Sequence, residues 1–356
     1  MALSFFFRCC GVFLLSWAAS QQHCFAQMGG KQHFTFLALP TNTQTAALGN
    51  VNLTASTQNV QMATANPALT ATANHQQLSI QYFALNAGIT QTNIAYQHKV
   101  KGNGMVLGAL QHLNYGNFQG YDLNGLATNN FSVSEYAFTV GYSHQIAPFR
   151  VGLNAKFAGS QIDNYFAGGV LLDVGGTFIH PHRDFRVGLV FKNMGFGFSN
   201  YLPSESLIMP FDVQVGASYK AEKMPFRFSL TAQQLLPPAD IVYQDTTLNK
   251  KFDNNGNLVR TEPSTFDRLS RRLVIGVEVI ISKNFQLRAG YNFLQRRELS
   301  VEMRRAMVGF SFGAMLNIKG FEVSFSRTIR QVSGGTTGIA LSFSPQQLVK
   351  KKKVVE

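Results

Sequence analysis

The chain has 356 residues, of which 45% are hydrophobic and only 14% are charged, and 31 Lys and Arg against 18 Asp and Glu give a net charge of +13. An ordinary soluble domain has roughly 25% charged residues. No apolar run after the signal-like N-terminus approaches the ~20 residues that a membrane-spanning helix needs. Composition therefore excludes a disordered chain and a helical membrane protein. It leaves a β-rich protein, either a large soluble barrel or sandwich or a barrel of an outer membrane.

Residues 1–26 have the pattern of a secretory signal peptide. They contain one positive charge, Arg8, an apolar stretch and small residues before a predicted cleavage after Ala26. A membrane anchor is the alternative, but the apolar stretch is short. All 3 cysteines lie in this segment, so the mature chain is predicted to be exported without any cysteine. Its stability must then come from hydrogen bonding and packing rather than from disulfides.

Residues 27–76 do not alternate between apolar and polar types and are rich in Ala, Thr, Asn and Gln. Short helical turns are predicted at 46–49 and 60–65, the second ended at Asn66 by Pro67. We expect this segment to fold into the lumen of a barrel as a hatch. The turn formed by Asn66, Pro67 and Ala68 is expected to start the chain back toward the first strand.

Residues 77–343 alternate with a period of two, which predicts β-strands that have one apolar face. About fourteen such segments follow one another. Two sets of side chains result, one expected to face lipid and the other the lumen. The lipid-facing set includes Phe211, Val213, Phe285, Leu287, Phe310 and Phe312. The lumen-facing set includes Gln214, Ser218, Gln286, Arg288, Asn292, Ser311 and Asn317.

The connections between these segments alternate in length. Long loops are predicted at about 116–131, 196–210, 236–270 and 295–306, and short turns separate the remaining strands. Outer-membrane barrels have this asymmetry, whereas a soluble sandwich gives no reason for it. The prediction is an all-β transmembrane antiparallel barrel of about 14 strands, integral to the outer membrane, with its long loops facing the cell surface. A basic tail at 344–356 follows it.

Phenylalanines open several strands directly after short turns, which predicts an aromatic ring at one membrane interface. Aromatic residues closing a soluble core are the alternative. No catalytic constellation or metal-ligand spacing is present, and His180-Pro181-His182 and the turn at 253–257 are weak matches to metal sites. We therefore expect no enzyme activity, no cofactor and no metal site.

Arginines are concentrated in two of the predicted long loops. These are Arg260, Arg268, Arg271, Arg272, Arg296, Arg297, Arg304 and Arg305. They predict a basic patch at the barrel mouth that binds lipopolysaccharide phosphates or an acidic protein. Arginines that merely pair with membrane phosphates are the alternative. Nucleic acid is not an expected partner outside the cell.

Several segments resemble a known family in the same order along the chain. They are Phe36-Leu37-Ala38-Leu39-Pro40, Ala46-Ala47-Leu48-Gly49, Asn66-Pro67-Ala68-Leu69, Leu113-Asn114-Tyr115-Gly116, 225–232, Gly290-Tyr291-Asn292 and 307–311. Together they resemble the PorQ family, outer-membrane components of the type IX secretion system of Bacteroidetes bacteria. The turn at Asn66-Pro67-Ala68 also resembles the hatch motif of the FadL fatty-acid transporter family, which has fourteen-stranded, plugged barrels.

The PorQ resemblance implies a scaffold that anchors a PorZ-like surface subunit in an attachment complex with PorU-like and PorV-like members. The long loops would hold that subunit, with Arg260, Arg268, Arg296, Arg297, Arg304 and Arg305 as candidate partner-binding residues. The alternative is a FadL-type outer-membrane transporter of a hydrophobic ligand. A transporter needs a ligand pocket lined by apolar groups with a few polar ones, and this feature separates the two hypotheses.

Overall fold

The computed structural model of the protein describes most of the chain after the predicted signal peptide. The described residues are 32–55, 59–70, 74–100, 102–202, 207–236, 250–252, 258–260, 265–299, 307–331 and 334–344. The predicted signal peptide at 1–26 and all but the first residue of the predicted tail at 344–356 lie outside these ranges.

Fourteen antiparallel strands form a closed barrel, which confirms the predicted fold class. Each strand pairs with its neighbours along the chain, and β1 pairs with β16 to close the ring, with Leu78 opposite Phe343. A separate two-stranded sheet, β10 and β11, lies in the long connection after β9. The strands are β1 Leu78–Ala84, β2 Thr90–Lys99, β3 Gly104–Tyr121, β4 Ala127–Ile146, β5 Phe149–Ile162, β6 Tyr165–Ile179, β7 Asp184–Ser199, β8 Asp212–Lys220, β9 Phe226–Ala232, β10 Lys250–Phe252, β11 Leu258–Arg260, β12 Leu273–Ile280, β13 Phe285–Asn292, β14 Phe310–Ile318, β15 Phe321–Gln331 and β16 Gly334–Phe343.

Side chains alternate between a polar interior and an apolar exterior because successive residues of a strand point to opposite faces. On β14, Phe310 and Phe312 are 38% and 40% exposed, whereas Ser311 between them is fully buried. The expectation for Val213 was wrong, since this residue is only 5% exposed. It lies at the long-loop end of β8, where the segment after β9 runs alongside and Leu235 N donates to the Val213 carbonyl at 3.1 Å.

The long connections all lie at one rim of the barrel, and the opposite rim has only short turns. The short-turn rim includes Ala147-Pro148 and Lys319-Gly320, together with the start of β1 and the end of β16. The long-loop rim includes the connections at 200–211, 233–272 and 293–309. These contain the helices Thr265–Ser270 and Phe293–Leu299, the second of which occupies part of the loop expected at 295–306.

The loop expected at 116–131 is instead an extension of β3 and β4 beyond their neighbours. The two strands stay paired as far as Tyr121 and Ala127. Asp122 closes the tip, because its Oδ1 accepts hydrogen bonds from Asn124 N at 2.9 Å and from Leu126 N at 2.8 Å. A side-chain carboxylate that bonds nearby backbone amides in this way stabilises a tight turn. The two strands are therefore joined by this turn and not by a long loop.

The N-terminal segment, defined as the described residues 32–55, 59–70 and 74–76, lies inside the barrel. It forms the short helices Thr43–Ala47 and Met62–Ala65 and the 3-10 turns Thr35–Ala38 and Pro67–Leu69. Its apolar side chains supply much of the buried core. The members that are no more than 2% exposed include Phe36, Leu48, Leu53, Met62 and Leu69.

Candidate functional site

Inward-facing polar side chains hydrogen-bond the N-terminal segment around the circumference of the barrel. Gln81 Oε1 on β1 accepts from Thr43 N at 2.7 Å, and Ser218 Oγ on β8 donates to Thr54 O at 3.1 Å. Each bond satisfies a backbone group that would otherwise be buried without a partner. Further wall donors are Gln91 to Pro40 O, Gln111 to Phe36 O, Asn154 to Ala63 O, Arg186 to Ala55 O, Asn292 to Gly49 O and Thr328 to Ala46 O.

The turn at Asn66, Pro67 and Ala68 is fixed both internally and against the wall. Asn66 Oδ1 accepts from Ala68 N at 3.0 Å, and Asn66 Nδ2 donates to Thr177 Oγ1 on β6 at 3.2 Å. Pro67 occupies the first position of the 3-10 turn, where its missing N–H costs nothing. The turn packs on Gly175, where a methyl group would lie 2.9 Å from Pro67 Cδ. A glycine at this wall position therefore allows the close approach of the turn.

A buried ion-pair network connects the wall to the helix Thr43–Ala47. Glu278 on β12 accepts from Arg227 Nη1 at 3.2 Å, from Arg288 Nε at 3.3 Å and from Gln44 Nε2 at 3.0 Å. Arg227 Nη2 also lies 2.5 Å from Asp184 Oδ2. The carboxylate of Glu278 thus connects three strands of the wall to the N-terminal segment.

A cavity of about 110 Å³ lies between the N-terminal segment and the wall. The segment contributes apolar and polar groups in about equal number, whereas β5, β7, β8 and the residues after β9 contribute polar and charged groups. The apolar lining includes Leu37, Leu39, Pro40, Leu53 and Ala65. The polar lining includes Gln61, Lys156, Lys192, Asp212, Gln214 and Gln233. The cavity is therefore amphipathic.

A β-bulge in β7 shapes the polar side of this cavity. Asn193 has a φ of 58°, and the register of β7 against β6 shifts between Leu172 and Val174. Asn193 accepts from Lys156 Nζ at 2.9 Å, and its own N donates to Asp173 Oδ1 at 2.8 Å. Lys156 Nζ lies 2.6 Å from Asp173 Oδ2, so these two buried charges compensate each other.

An apolar cluster lies between the cavity and the long-loop rim. Phe34, Phe36 and Leu37 of the N-terminal segment pack there with Leu113 on β3 and Leu171 on β6. Residues of the loops, among them Leu85, Ile89, Tyr201, Leu207 and Met209, cover it. Leu37 belongs both to this cluster and to the cavity lining. Apolar groups are thus continuous from the rim to the cavity.

The described candidate arginines lie on neighbouring loops of the long-loop rim. Arg297 Nη2 is 2.8 Å from Asp267 Oδ1, which connects the helix Phe293–Leu299 to the helix Thr265–Ser270. Arg296 Nη1 donates to Val308 O at 3.4 Å, and Arg268 is exposed. The side chain of Arg260 and the whole of Arg304 and Arg305 lie outside the described residues. Partner binding by these arginines remains a prediction.

His180 takes part in a turn. Its Nδ1 accepts from His182 N at 3.1 Å and from Arg183 N at 3.0 Å. Within the described ranges, no three His, Cys, Asp or Glu side chains are grouped so that they could hold a metal ion.

No helix in the described part of the chain is long and apolar enough to cross a membrane.

Sequence reasoning missed the cavity residues Lys156, Lys192, Asp212 and Gln233. A signal for three of them was available, because a charged residue at an inward position of an alternating strand has to face the lumen. The bulge at Asn193 reverses the alternation along β7. The inward position of Lys192 is therefore hard to recognise in the sequence.

Comparisons with known proteins point to one fold class. No protein-family model and no curated protein matches the chain. Among solved structures, the toluene transporter TodX of Pseudomonas putida has a TM-score of 0.52 and 11% identity over 86% of this chain and 99% of that chain. A deletion mutant of TodX, described as a monoaromatic hydrocarbon channel, has a TM-score of 0.50 and 12% identity over 86% and 98% of the two chains.

A FadL homologue of Pseudomonas aeruginosa is also similar, with a TM-score of 0.47 and 10% identity over 85% of this chain and 98% of that chain. At these identities the likeness concerns the fold. The chain is thus a closed 14-stranded antiparallel β-barrel whose fold is similar to that of TodX.

Proposed function

We propose that the protein is a FadL-type outer-membrane transporter of a small molecule that has an apolar part. The observation that carries this proposal is the amphipathic cavity, which the apolar cluster connects to the long-loop rim. Ligand pockets are typically apolar with a few polar groups that fix orientation. The long loops would face the cell surface, so that the ligand enters through the cluster and leaves when the N-terminal segment moves.

The fold comparison supports the same function. TodX is described as a toluene transporter, and its chain aligns along almost its whole length. The contacts between the N-terminal segment and the wall include many hydrogen bonds, each of which contributes only about 0.5–1.5 kcal/mol net when water can replace it. Part of the segment can therefore leave the wall at moderate cost in free energy.

A disulfide between the N-terminal segment and the wall tests whether transport needs movement of this segment. Thr43 Oγ1 and Ser324 Oγ lie 2.7 Å apart, on the segment and on β15, and the predicted mature chain has no other cysteine. In cells without other barrels of this class, we expect the oxidised Thr43→Cys, Ser324→Cys protein to slow uptake of labelled toluene. Reductant should restore uptake, and Thr43→Cys alone should have no effect. Toluene uptake that does not depend on the protein at all would refute the transport of an apolar ligand.

A second candidate is the scaffold that the PorQ resemblance implies. The hydrogen bonds from wall strands all around the lumen favour it, because a firmly filled barrel serves an anchor as well as it hinders a channel. The long-loop rim would then hold a PorZ-like surface subunit, together with PorU-like and PorV-like members. The same disulfide separates the two functions, since an anchor keeps its partner whether the disulfide is oxidised or reduced.

A further inference from the structure

Two charged residues face each other across the polar side of the cavity. Lys192 on β7 and Asp212 on β8 are direct cross-strand partners, and both line the cavity. Side chains at such positions have Cβ atoms about 4.5–5.5 Å apart. Among the described residues, however, no carboxylate is in ion-pair contact with Lys192. The Asp212 carboxylate instead accepts from Gln234 N at 2.7 Å and from Gln214 Nε2 at 2.5 Å.

Two buried amides in the same lining each have an unpaired polar atom. Gln61 is 1% exposed and Gln233 is 6% exposed. Within the described part of the chain, Gln61 Oε1 accepts no hydrogen bond and Gln233 Nε2 donates none. A buried polar atom without a partner costs about 1–3 kcal/mol. The cavity therefore offers one hydrogen-bond acceptor and one donor that a bound molecule can satisfy.

The charged residues of the lining limit the class of molecule that the cavity can bind. Lys156 is compensated by Asp173, which leaves one cation, Lys192, and one anion, Asp212. A simple anion would be attracted by Lys192 but repelled by Asp212. A simple cation would be attracted by Asp212 but repelled by Lys192. A molecule with both charges satisfies both residues, since opposite charges a few ångström apart attract strongly where water is scarce.

We propose that this cavity binds a zwitterion of the α-amino-acid type. The carboxylate of the ligand faces Lys192 and Gln233 Nε2, and its ammonium group faces Asp212 and Gln61 Oε1. An apolar side chain of the ligand would lie against the apolar lining from Leu37, Leu39 and Leu53. One water needs roughly 10–15 Å³ of such space. The cavity of about 110 Å³ thus has room for several non-hydrogen atoms, the size of a free amino acid.

The inference deepens the proposed transport function by naming the polar end of the ligand, but binding can be measured without transport. The probe is free L-leucine, titrated calorimetrically into the detergent-solubilised mature protein. Two matched compounds each lack one charge: 4-methylpentanoate has no ammonium group, and 3-methylbutylamine has no carboxylate. We expect leucine to bind at least about tenfold more tightly than either compound, which corresponds to about 1.4 kcal/mol.

Variants locate the site. Lys192→Met and Asp212→Asn should each weaken leucine binding at least about tenfold, and Lys192→Arg should retain it. Lys220→Met is the control, because Lys220 lies on the same strand as Asp212 but at the short-turn end. Unchanged heat resistance on a gel shows that each variant is folded.

Three results would overturn the inference. These are no leucine binding at millimolar concentration, equal binding of leucine and 4-methylpentanoate, or leucine binding that the Lys192 and Asp212 variants leave intact. Toluene uptake in the disulfide experiment is independent of these outcomes. The transport function can therefore stand when the zwitterion site fails, and the reverse also holds.

Discussion

Gln44 of the N-terminal segment donates its side-chain amide to Glu278 Oε1 on β12 at 3.0 Å, across 234 positions of the sequence. The same carboxylate receives Arg227 and Arg288 from two neighbouring strands. One buried side chain thus organises both the wall and the position of the helix that it contacts.

Replacing Glu278 by Gln should destabilise the barrel on the order of 3 kcal/mol, because two buried guanidinium groups lose their shared anion. The measurement is the temperature at which the folded band disappears on a gel. Gln44→Ala removes a single hydrogen bond to the same carboxylate and should cost less, about 1.5 kcal/mol. Equal losses in the two variants would show that the ion pairs add nothing beyond the contact with Gln44.

The turn at Asn66 and Pro67 should depend on the absence of a side chain at Gly175. A Gly175→Val change places carbon atoms where Pro67 Cδ would lie only 2.9 Å away, so the turn must move. Planar-bilayer recording should show little conductance for the intact protein and more for this variant. Gly176→Val is the matched control, because no atom lies within 4 Å of a Cβ at that position. A large, steady pore in the unmodified protein would contradict the role of the segment as a hatch.

The lipid-facing and lumen-facing sets should differ in their tolerance of charge. Phe325 is 46% exposed at the middle of β15, and Arg in its place should cost about 2–4 kcal/mol at the bilayer centre. Phe310→Arg, at the long-loop end of β14, should cost about 0–1 kcal/mol because the interface is close. Ser326→Ala, on the inward face, should change stability by less than about 1 kcal/mol. Folded fractions in bilayers of matched thickness measure all three.

The loops at the long-loop rim should be dispensable for the barrel. Deleting residues 237–264 should leave a folded, heat-resistant protein, since the fourteen barrel strands lie outside this range. If the protein is a scaffold, the surface partner should then escape into the medium. The arginines Arg268 and Arg297 would contribute mainly to the association rate, as charges at an interface rim do. Retention of the partner after both the 237–264 and 300–306 segments are removed would place the interface elsewhere.

The strands could be predicted from the sequence because alternation is a local property. Gln286 and Arg288 face inward as expected, since their strand keeps a strict period of two. The contact of Gln44 with Glu278 could not be predicted, because nothing local relates two residues that are so distant in sequence. The extension of β3 and β4 was missed for another reason. Residues on both of its faces are exposed, and they include apolar ones such as Phe118 and Tyr121, so alternation is weak where no core has to be covered.

Closure of the ring between β1 and β16 also sets an order for biogenesis. The seam runs from Leu78 opposite Phe343 to Ala84 opposite Thr337, so it joins the first barrel strand to the last. A polypeptide released before residue 334 would have two unpaired edges, which invite aggregation. Glu322 and Ser342, near the chain end, also bond Asn59. Truncated copies would thus lack the seam and some of the wall residues that bond their own N-terminal segment. Periplasmic proteases could distinguish them from finished molecules.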